Sequence, residues 1–156
     1  MDHILQRVVG SSRISLLDGF SGYNQILVQP EDEAKTAFTT PRGTFMYLKM
    51  PFGLMNAGAT FQREMDIAFA KEIHEFLVVY QDEITVFSKS DNEHLDHLRR
   101  VFIKCRKFYI SLNPKKTLFG LEEGKILGHI ISKDGIRIDP ARIEAILNIT
   151  YPRNIK

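Results

Sequence analysis

At 156 residues, 44% hydrophobic and 26% charged, the chain has an ordinary globular composition and the length for one real core, which excludes a low-complexity or disordered class. Its net charge of +2 is too small to mark a nucleic-acid binder unless the basic residues gather in a patch. Cys105 is the only cysteine, which excludes an internal disulfide and a cysteine zinc cluster; no apolar run approaches the ~20 residues of a membrane span, and Met1-Asp2-His3-Ile4 lacks a signal-peptide layout, so the expectation is an intracellular domain with no membrane partner.

Taken in order, residues Asp2 to Val9 read as a short helix with Ile4, Leu5, Val8 and Val9 on one side, broken by Gly10-Ser11-Ser12. Ile14 to Asp18 reads as a strand ending on an acid. Gly19 to Tyr23 is a glycine-bounded turn, Gln25 to Val28 is extended, and Pro30 to Glu33 is a polar loop. Lys35 to Thr40 and Thr44 to Leu48 form two strands around a Pro41-Arg42-Gly43 turn. Phe61, Met65, Ala68 and Phe69 recur at helical spacing and predict a helix over 57–73.

Phe76 to Phe87 then gives two apolar, β-branched and aromatic runs around a polar tip, Gln81-Asp82-Glu83, which predicts two buried strands joined by a tight turn. Ser90-Asp91-Asn92-Glu93 is a capping box, and Leu95, Leu98, Phe102, Cys105 and Tyr109 supply the apolar stripe of the helix behind it, which Asn113-Pro114 ends. Lys125 to Ile131 and Ile136 to Ile138 form a second hairpin around Asp134-Gly135. Asp139-Pro140 starts a final helix through Leu147. The mixture predicts an α+β fold with a mainly antiparallel sheet packed against helices.

The acids carry the chemistry. Asp18 ends one strand, and Asp82 and Glu83 tip a hairpin 64 residues later (82 − 18). An acidic tip is an ordinary turn or a grip for a cation. If the two strands are neighbours, three carboxylates share one sheet end, and such a cluster repels itself unless cations neutralise it. Hard oxygen donors favour Mg²⁺ or Mn²⁺, and two such ions suit phosphoryl or nucleotidyl transfer.

Several stretches occur in a fixed order. They are Leu17-Asp18-Gly19-Phe20-Ser21-Gly22-Tyr23-Asn24-Gln25-Ile26, Lys35-Thr36-Ala37-Phe38, Met50-Pro51-Phe52-Gly53-Leu54-Met55-Asn56-Ala57, Ala59-Thr60-Phe61-Gln62-Arg63, Tyr80-Gln81-Asp82-Glu83 and Ile126-Leu127-Gly128-His129. Together they resemble the reverse transcriptase of gypsy-type long-terminal-repeat retroelements, from about His3 to about Leu147. The resemblance implies a polymerase palm with part of the fingers over residues 1–148 and a stub, 149–156, leading towards a thumb. It implies that Asp18, Asp82 and Glu83 are catalytic and hold two Mg²⁺ (or Mn²⁺) ions. It further implies that Tyr23 lies under the sugar of the incoming nucleotide, that Gln62 helps hold that nucleotide, and that Leu127, Gly128 and His129 contact the primer. The implied partners are an RNA or DNA template-primer, a dNTP, and the fingers, thumb and ribonuclease H of a retroelement polyprotein.

Two positions depart from the family. Glu83 stands where the family has Asp, which lengthens the side chain by a methylene and is expected to lower activity. Gly58 stands where Pro is usual, so the helix carrying Gln62 is expected to begin more loosely. Two further readings therefore stay open: a weakened or inactive retroelement remnant that binds nucleic acid or protein, and a metal-dependent nuclease. His94 and His97, with Glu93 and Asp96, flank what reads as a solvated helix face more readily than a metal site. Arg99, Arg100, Lys104, Arg106 and Lys107, with Lys115 and Lys116, are a solvated face or a phosphate contact. Cys105 reads as core.

Overall fold

The structure, a computed structural model, describes residues 2–149, with side chains from Ile4 onward. Helix α1 (Asp2–Val8) leads into strand β1 (Arg13–Asp18). A small hairpin, β2 (Phe38–Thr40) and β3 (Gly43–Phe45), precedes helix α3 (Ala57–Ala68), α2 being a single turn at Pro30–Glu33. The central hairpin is β4 (Leu77–Tyr80) and β5 (Glu83–Ser88), followed by the long helix α4 (Asp91–Lys107). Strands β6 (Leu118–Leu121), β7 (Glu123–Ile126), β8 (His129–Ser132) and β9 (Gly135–Ile138) come next, and α5 (Pro140–Leu147) ends the described fold. The class is α+β, as the sequence predicts.

The main sheet is antiparallel in the order β4-β5-β1-β6. Its side-chain alternation feeds two cores. Leu17, Leu77, Val79, Ile84 and Val86 face α3 and α4, where Phe61, Met65, Leu98, Val101 and Cys105 complete a buried cluster. Ile14 and Val78, on the opposite face, pack with Leu5 and Val8 of α1 and with Ile126 and Ile131 of β7 and β8. Such period-two alternation is what a strand covered on both faces needs, and it explains why these runs read as continuously apolar.

The structure departs from the sequence reading at identifiable points. Residues 125–131 are two strands, because Leu127 (φ 51°) and Gly128 (φ 77°) both adopt left-handed backbone and form a two-residue turn. The result is a three-stranded sheet, β7-β8-β9, with the expected Asp134-Gly135 hairpin as its second turn. Strand β6 was not anticipated, since Leu118-Phe119-Gly120-Leu121 is short and carries a glycine; it pairs with β1 as an edge strand. Helix α3 stops at Ala68 and is followed by a 3₁₀ turn at Glu72–His74. Gln25 closes a 3₁₀ turn (Gly22–Gln25), and only Leu27 in the 25–28 stretch makes a bridge, to Lys49. A 3₁₀ turn at Ala34–Thr36 likewise shortens the expected 35–40 strand.

Helix α4 ends at Lys107, with Tyr109 at φ 57°, well before Asn113-Pro114. Its buried face is His94, Leu98, Val101 and Cys105. Of the expected apolar stripe Leu98 and Cys105 are buried, whereas Leu95, Phe102 and Tyr109 are exposed. The helix is rolled by about half a position, with His94 and Val101 turned in where the sequence predicts Leu95 and Phe102, and His94 is held inward by polar partners: its Nε2 lies 2.7 Å from Ser15 Oγ and its Nδ1 2.9 Å from Ser88 Oγ. Ser90 caps the helix as its sequence predicts, accepting from the Glu93 N–H at 3.4 Å, while Glu93 Oε2 accepts from the Lys89 N–H. Asp139 caps α5 in the same way, accepting from the Ala141 N–H. Of the stub at 149–156, all but Ile149 lies outside the described residues.

Candidate active site

Asp18 and Glu83 are cross-strand partners. The β1–β5 register sets Leu17 opposite Ile84 and, one step on, Asp18 opposite Glu83. Directly opposed residues project from the same face of a sheet, here the face shared with Ile14 and Val78, over which β7-β8-β9 and the Leu127-Gly128 turn lie. Asp82 is next to Glu83 in the β4–β5 turn, which Tyr80 and Glu83 close as a pair. Gln81, the other turn residue, takes φ 54° without being glycine. Left-handed backbone costs a side-chain-bearing residue roughly 1–2 kcal/mol, so the packed strands on either side hold the tip in a strained shape.

The backbone ties the three acids together. The Gly19 N–H donates to the Asp82 carbonyl at 2.8 Å, and the Asn113 N–H donates to the Asp18 carbonyl at 2.8 Å. The Asp18 N–H reaches Thr117 Oγ1 at 3.4 Å. Gly19 and Gly22 leave room for the tip: a Cβ at Gly19 would come within 3.3 Å of the Asp82 carbonyl oxygen, and one at Gly22 within 3.2 Å of the Asp82 Cβ.

Charge accumulates there. The Glu83 carboxyl titrates above the ordinary glutamate range, first because of partial burial and then because Asp82 and Asp18 repel its ionised form; Lys116 works against this. Lys116 Nζ stands 3.7 Å from Asp18 Oδ2. Among the described residues no three His, Cys, Asp or Glu side chains are gathered closely enough to chelate one ion. The acids therefore share a sheet end without forming a ready-made cage. Their oxygen-only donor set and mutual repulsion nevertheless suit a hard divalent cation.

Of the other residues singled out in the sequence, Tyr23 lies beside this end, next to Gly22, where an added Cβ would come within 3.2 Å of the Asp82 Cβ. Tyr23 sits in the Gly22–Gln25 turn, its ring 5.0 Å from that of Phe52 and 5.6 Å, edge-on, from that of Phe61. Gln62 is one residue beyond Phe61 on α3 and donates from its amide to Asp66 Oδ1 at 3.0 Å. At the Leu127-Gly128 turn, Arg142 Nη1 donates to the Leu127 carbonyl at 3.3 Å and the Asp139 N–H to the Gly128 carbonyl at 3.3 Å, so α5 braces the turn. His129 Nδ1 lies 3.2 Å from the Leu127 carbonyl.

One sequence reading is corrected, and one is narrowed without being overturned. His94 is buried, and burial, His97 and Arg13 hold its imidazole below the ordinary histidine range. Its ring nitrogens are taken by Ser15 and Ser88, and His97 is stacked on Phe76 with centroids 3.7 Å apart, so the pair does not flank a solvated face. The basic segment is also partly committed. Arg100 pairs with Glu75 at 2.9 Å and with buried Glu72 at 3.5 Å, Lys104 with Glu72 at 3.5 Å, and Arg99 with Asp96 at 3.1 Å. Asn113 and Thr117 hold the Asp18 backbone; the sequence marks Asn113 only as a helix stop beside Pro114 and gives no sign of Thr117.

A family model described as reverse transcriptase (RNA-dependent DNA polymerase) matches residues 2–131. The retrovirus-related Pol polyprotein from transposon 297 of Drosophila melanogaster is 38% identical over 156 residues, covering 100% of this chain and 15% of the relative. That from transposon gypsy of the same organism is 34% identical over 150 residues, covering 96% and 14%. The foamy viral protease-reverse transcriptase in complex with double-stranded DNA superposes with a TM-score of 0.88 at 25% identity, over 97% of this chain and 26% of that one. The same viral protein with an RNA/DNA hybrid gives 0.84, also at 25% identity, over 96% and 20%. The chain thus spans about one seventh of the length of these polyprotein relatives.

Proposed function

The chain belongs to the reverse transcriptase (RNA-dependent DNA polymerase) family, and from that premise we propose that it is the palm, with part of the fingers, of an enzyme that extends a primer 3′-hydroxyl with a dNTP. The observation that carries this reading is the β1–β5 register, which makes Asp18 and Glu83 cross-strand partners with Asp82 in the adjoining turn. Asp18, Asp82 and Glu83 would hold the divalent cations. Bound there, two Mg²⁺ or Mn²⁺ ions would lower the pKa of the primer 3′-hydroxyl and screen the triphosphate.

The protein's own part is placement. Asp18 is fixed through its backbone by Asn113 and Thr117, and Asp82 by Gly19, so two of the carboxylates stand at strand ends and the third on a tied turn between strands, as ligands whose positions matter require. The Tyr23 ring, backed by Phe52 and Phe61, offers a flat apolar wall suited to the sugar of an incoming nucleotide. Gln62 offers a carboxamide from α3, at present spent on Asp66. The Leu127-Gly128-His129 turn overlies the face of the sheet that bears Asp18 and Glu83 and is suited to support a primer end. A template-primer duplex, a dNTP and the remaining parts of a polyprotein are the partners this reading implies. No helix among the described residues is long and apolar enough to cross a membrane.

Glu83 favours a weakened form of this chemistry, because its extra methylene displaces the carboxylate from where an Asp would hold it. The test is primer extension on an RNA template with Mg²⁺ and with Mn²⁺, using this chain, Asp18→Ala and Glu83→Asp. Extension that is abolished in Asp18→Ala and raised in Glu83→Asp is expected. Extension unaffected by Asp18→Ala would overturn the assignment.

A further inference from the structure

Gln25 has no role in the site as described, yet its carboxamide makes three hydrogen bonds there, using both amide protons and its oxygen. Its Nε2 donates to the Phe20 carbonyl at 2.7 Å and to the Ser111 carbonyl at 3.0 Å. Its Oε1 accepts from the Ser111 N–H at 2.6 Å. The side chain thus pairs with the Ser111 peptide group as a neighbouring strand would, donor to acceptor and acceptor to donor, and uses its second amide proton to close the 20–25 loop on itself.

That loop continues β1 beyond Asp18. Alongside it, residues 111–113 run antiparallel: the Phe20 N–H donates to the Ser111 carbonyl at 2.9 Å, Gly19 bridges Leu112, and the Asn113 N–H donates to the Asp18 carbonyl. Gln25 terminates this short ladder. Between the two residues it joins at the loop ends, Phe20 and itself, lie Ser21, which takes φ 51°, Gly22, which abuts Asp82 and Phe61, and Tyr23. A strained, glycine-dependent loop next to the acidic tip needs an external tie, and this amide supplies it. The residue type is specific. Asn is one methylene too short, and Glu would turn a carboxylate on two carbonyl oxygens.

We propose that Gln25 is a positioning residue, clamping the Asp18–Tyr23 loop to residues 111–113 so that the Tyr23 ring is held at the nucleotide sugar site; the second half of this rests on the polymerase reading of Tyr23. The clamp and the reading fail separately. Backbone amide exchange measured by NMR on the 156-residue chain tests the clamp without turnover. In Gln25→Ala, the Gly19, Phe20 and Asn113 amides, none of which touches Gln25, speed up about tenfold with that of Ser111, as the loss of more than one hydrogen bond implies, while amides in α4 are unchanged. Acceleration confined to Ser111 overturns the clamp.

The second arm compares incorporation of a dNTP with the matching rNTP. A merely structural residue would lower both together. The clamp predicts that Gln25→Ala reduces the preference for dNTP about tenfold, in the same direction as Tyr23→Val, with Gln25→Glu at least as impaired. If Tyr23→Val relaxes the preference and Gln25→Ala does not, the positioning role is overturned and the Tyr23 reading stands. If Tyr23→Val leaves the preference unchanged, the Tyr23 reading falls, and with it the proposed link from the clamp to sugar choice.

Discussion

Asp18 and Glu83 face each other across the β1–β5 ladder, one register step beyond the buried Leu17–Ile84 pair. A fully apolar pair followed at once by two acids marks the point where the sheet leaves its core for an acidic end. Like charges directly opposite one another destabilise a sheet, so the arrangement works against the fold unless something neutralises it.

That conflict is measurable at Glu83. Its folded pKa lies above the ordinary 4.5 through partial burial and the nearby Asp82 and Asp18. The folded state therefore holds this proton more tightly than the unfolded chain. The resulting stability is complete below pH 4.5 and is lost as pH rises through the folded value. At pH 7 without divalent cations, Glu83→Gln is expected to raise the melting temperature by about 1 °C, the side chain being exposed enough for solvent to screen most of the repulsion. The gain shrinks towards pH 4. Thermal melts of both proteins across that range check it, and a lower melting temperature for Glu83→Gln at pH 7 contradicts it.

His94 should make the fold acid-sensitive. Neutral His94 can accept the Ser15 hydroxyl proton on Nε2 and donate from Nδ1 to Ser88, while Ser15 Oγ accepts from the Gly120 N–H at 3.0 Å. Protonation makes both ring nitrogens donors and deprives the Ser15 proton of its acceptor. The folded pKa lies below 6.5, so the stability present above pH 6.5 falls as pH drops from there through the folded value. Urea midpoints should decline between pH 7 and pH 5. In His94→Gln the decline should flatten, at a cost of about 2 kcal/mol at pH 7 for the broken buried hydrogen bonds.

Much of this fold is legible in the residues themselves. The two runs around Gln81-Asp82-Glu83 could only be strands of that length, and the Ser90 and Asp139 caps lie where the sequence puts them. The roll of α4 is not legible, because the apolar residues Leu95, Phe102 and Tyr109 outweigh a histidine in any hydrophobic pattern; Ser15, 79 positions away, and Ser88 on β5 give His94 a reason to turn inward. The break at Leu127-Gly128 was hidden for the opposite reason. Leucine gives no sign that it will accept left-handed backbone, and Ile126 and Ile130 make the run look unbroken. The acids and Tyr23 were found through ordered motifs, whereas Gln25, present in one of those motifs, acquires meaning only when Ser111 is seen beside it.

Gly58 offers a small stabilisation. It lies in the first turn of α3, its backbone is not left-handed, and the nearest atom to an added Cβ is the Tyr23 hydroxyl at 3.7 Å. Gly58→Ala should therefore add about 0.5 kcal/mol by reducing the freedom of the unfolded chain. That corresponds to a rise of about 1–2 °C in melting temperature. A fall would show that the helix start needs glycine.

Cys105 should be chemically silent in the folded protein. It is buried on the α4 core face, and burial pushes its thiol up to about 11. Reaction with a disulfide reagent at pH 8 should be slow in buffer and fast in urea, since only the thiolate attacks. Equal rates in both would contradict the packing of α4.

The central proposal is that Asp18, Asp82 and Glu83, which share the end of β1 and β5 without a preformed cage, together draw divalent cations to that end. Its most direct measurement is Mn²⁺ titration of the chain, followed by paramagnetic broadening of backbone NMR signals, for the native sequence and for Asp18→Asn. The Gly19, Asp82 and Glu83 amides are expected to broaden first and together, and Asp18→Asn to weaken the effect at least ~tenfold. Broadening centred elsewhere, or unchanged by Asp18→Asn, would contradict it.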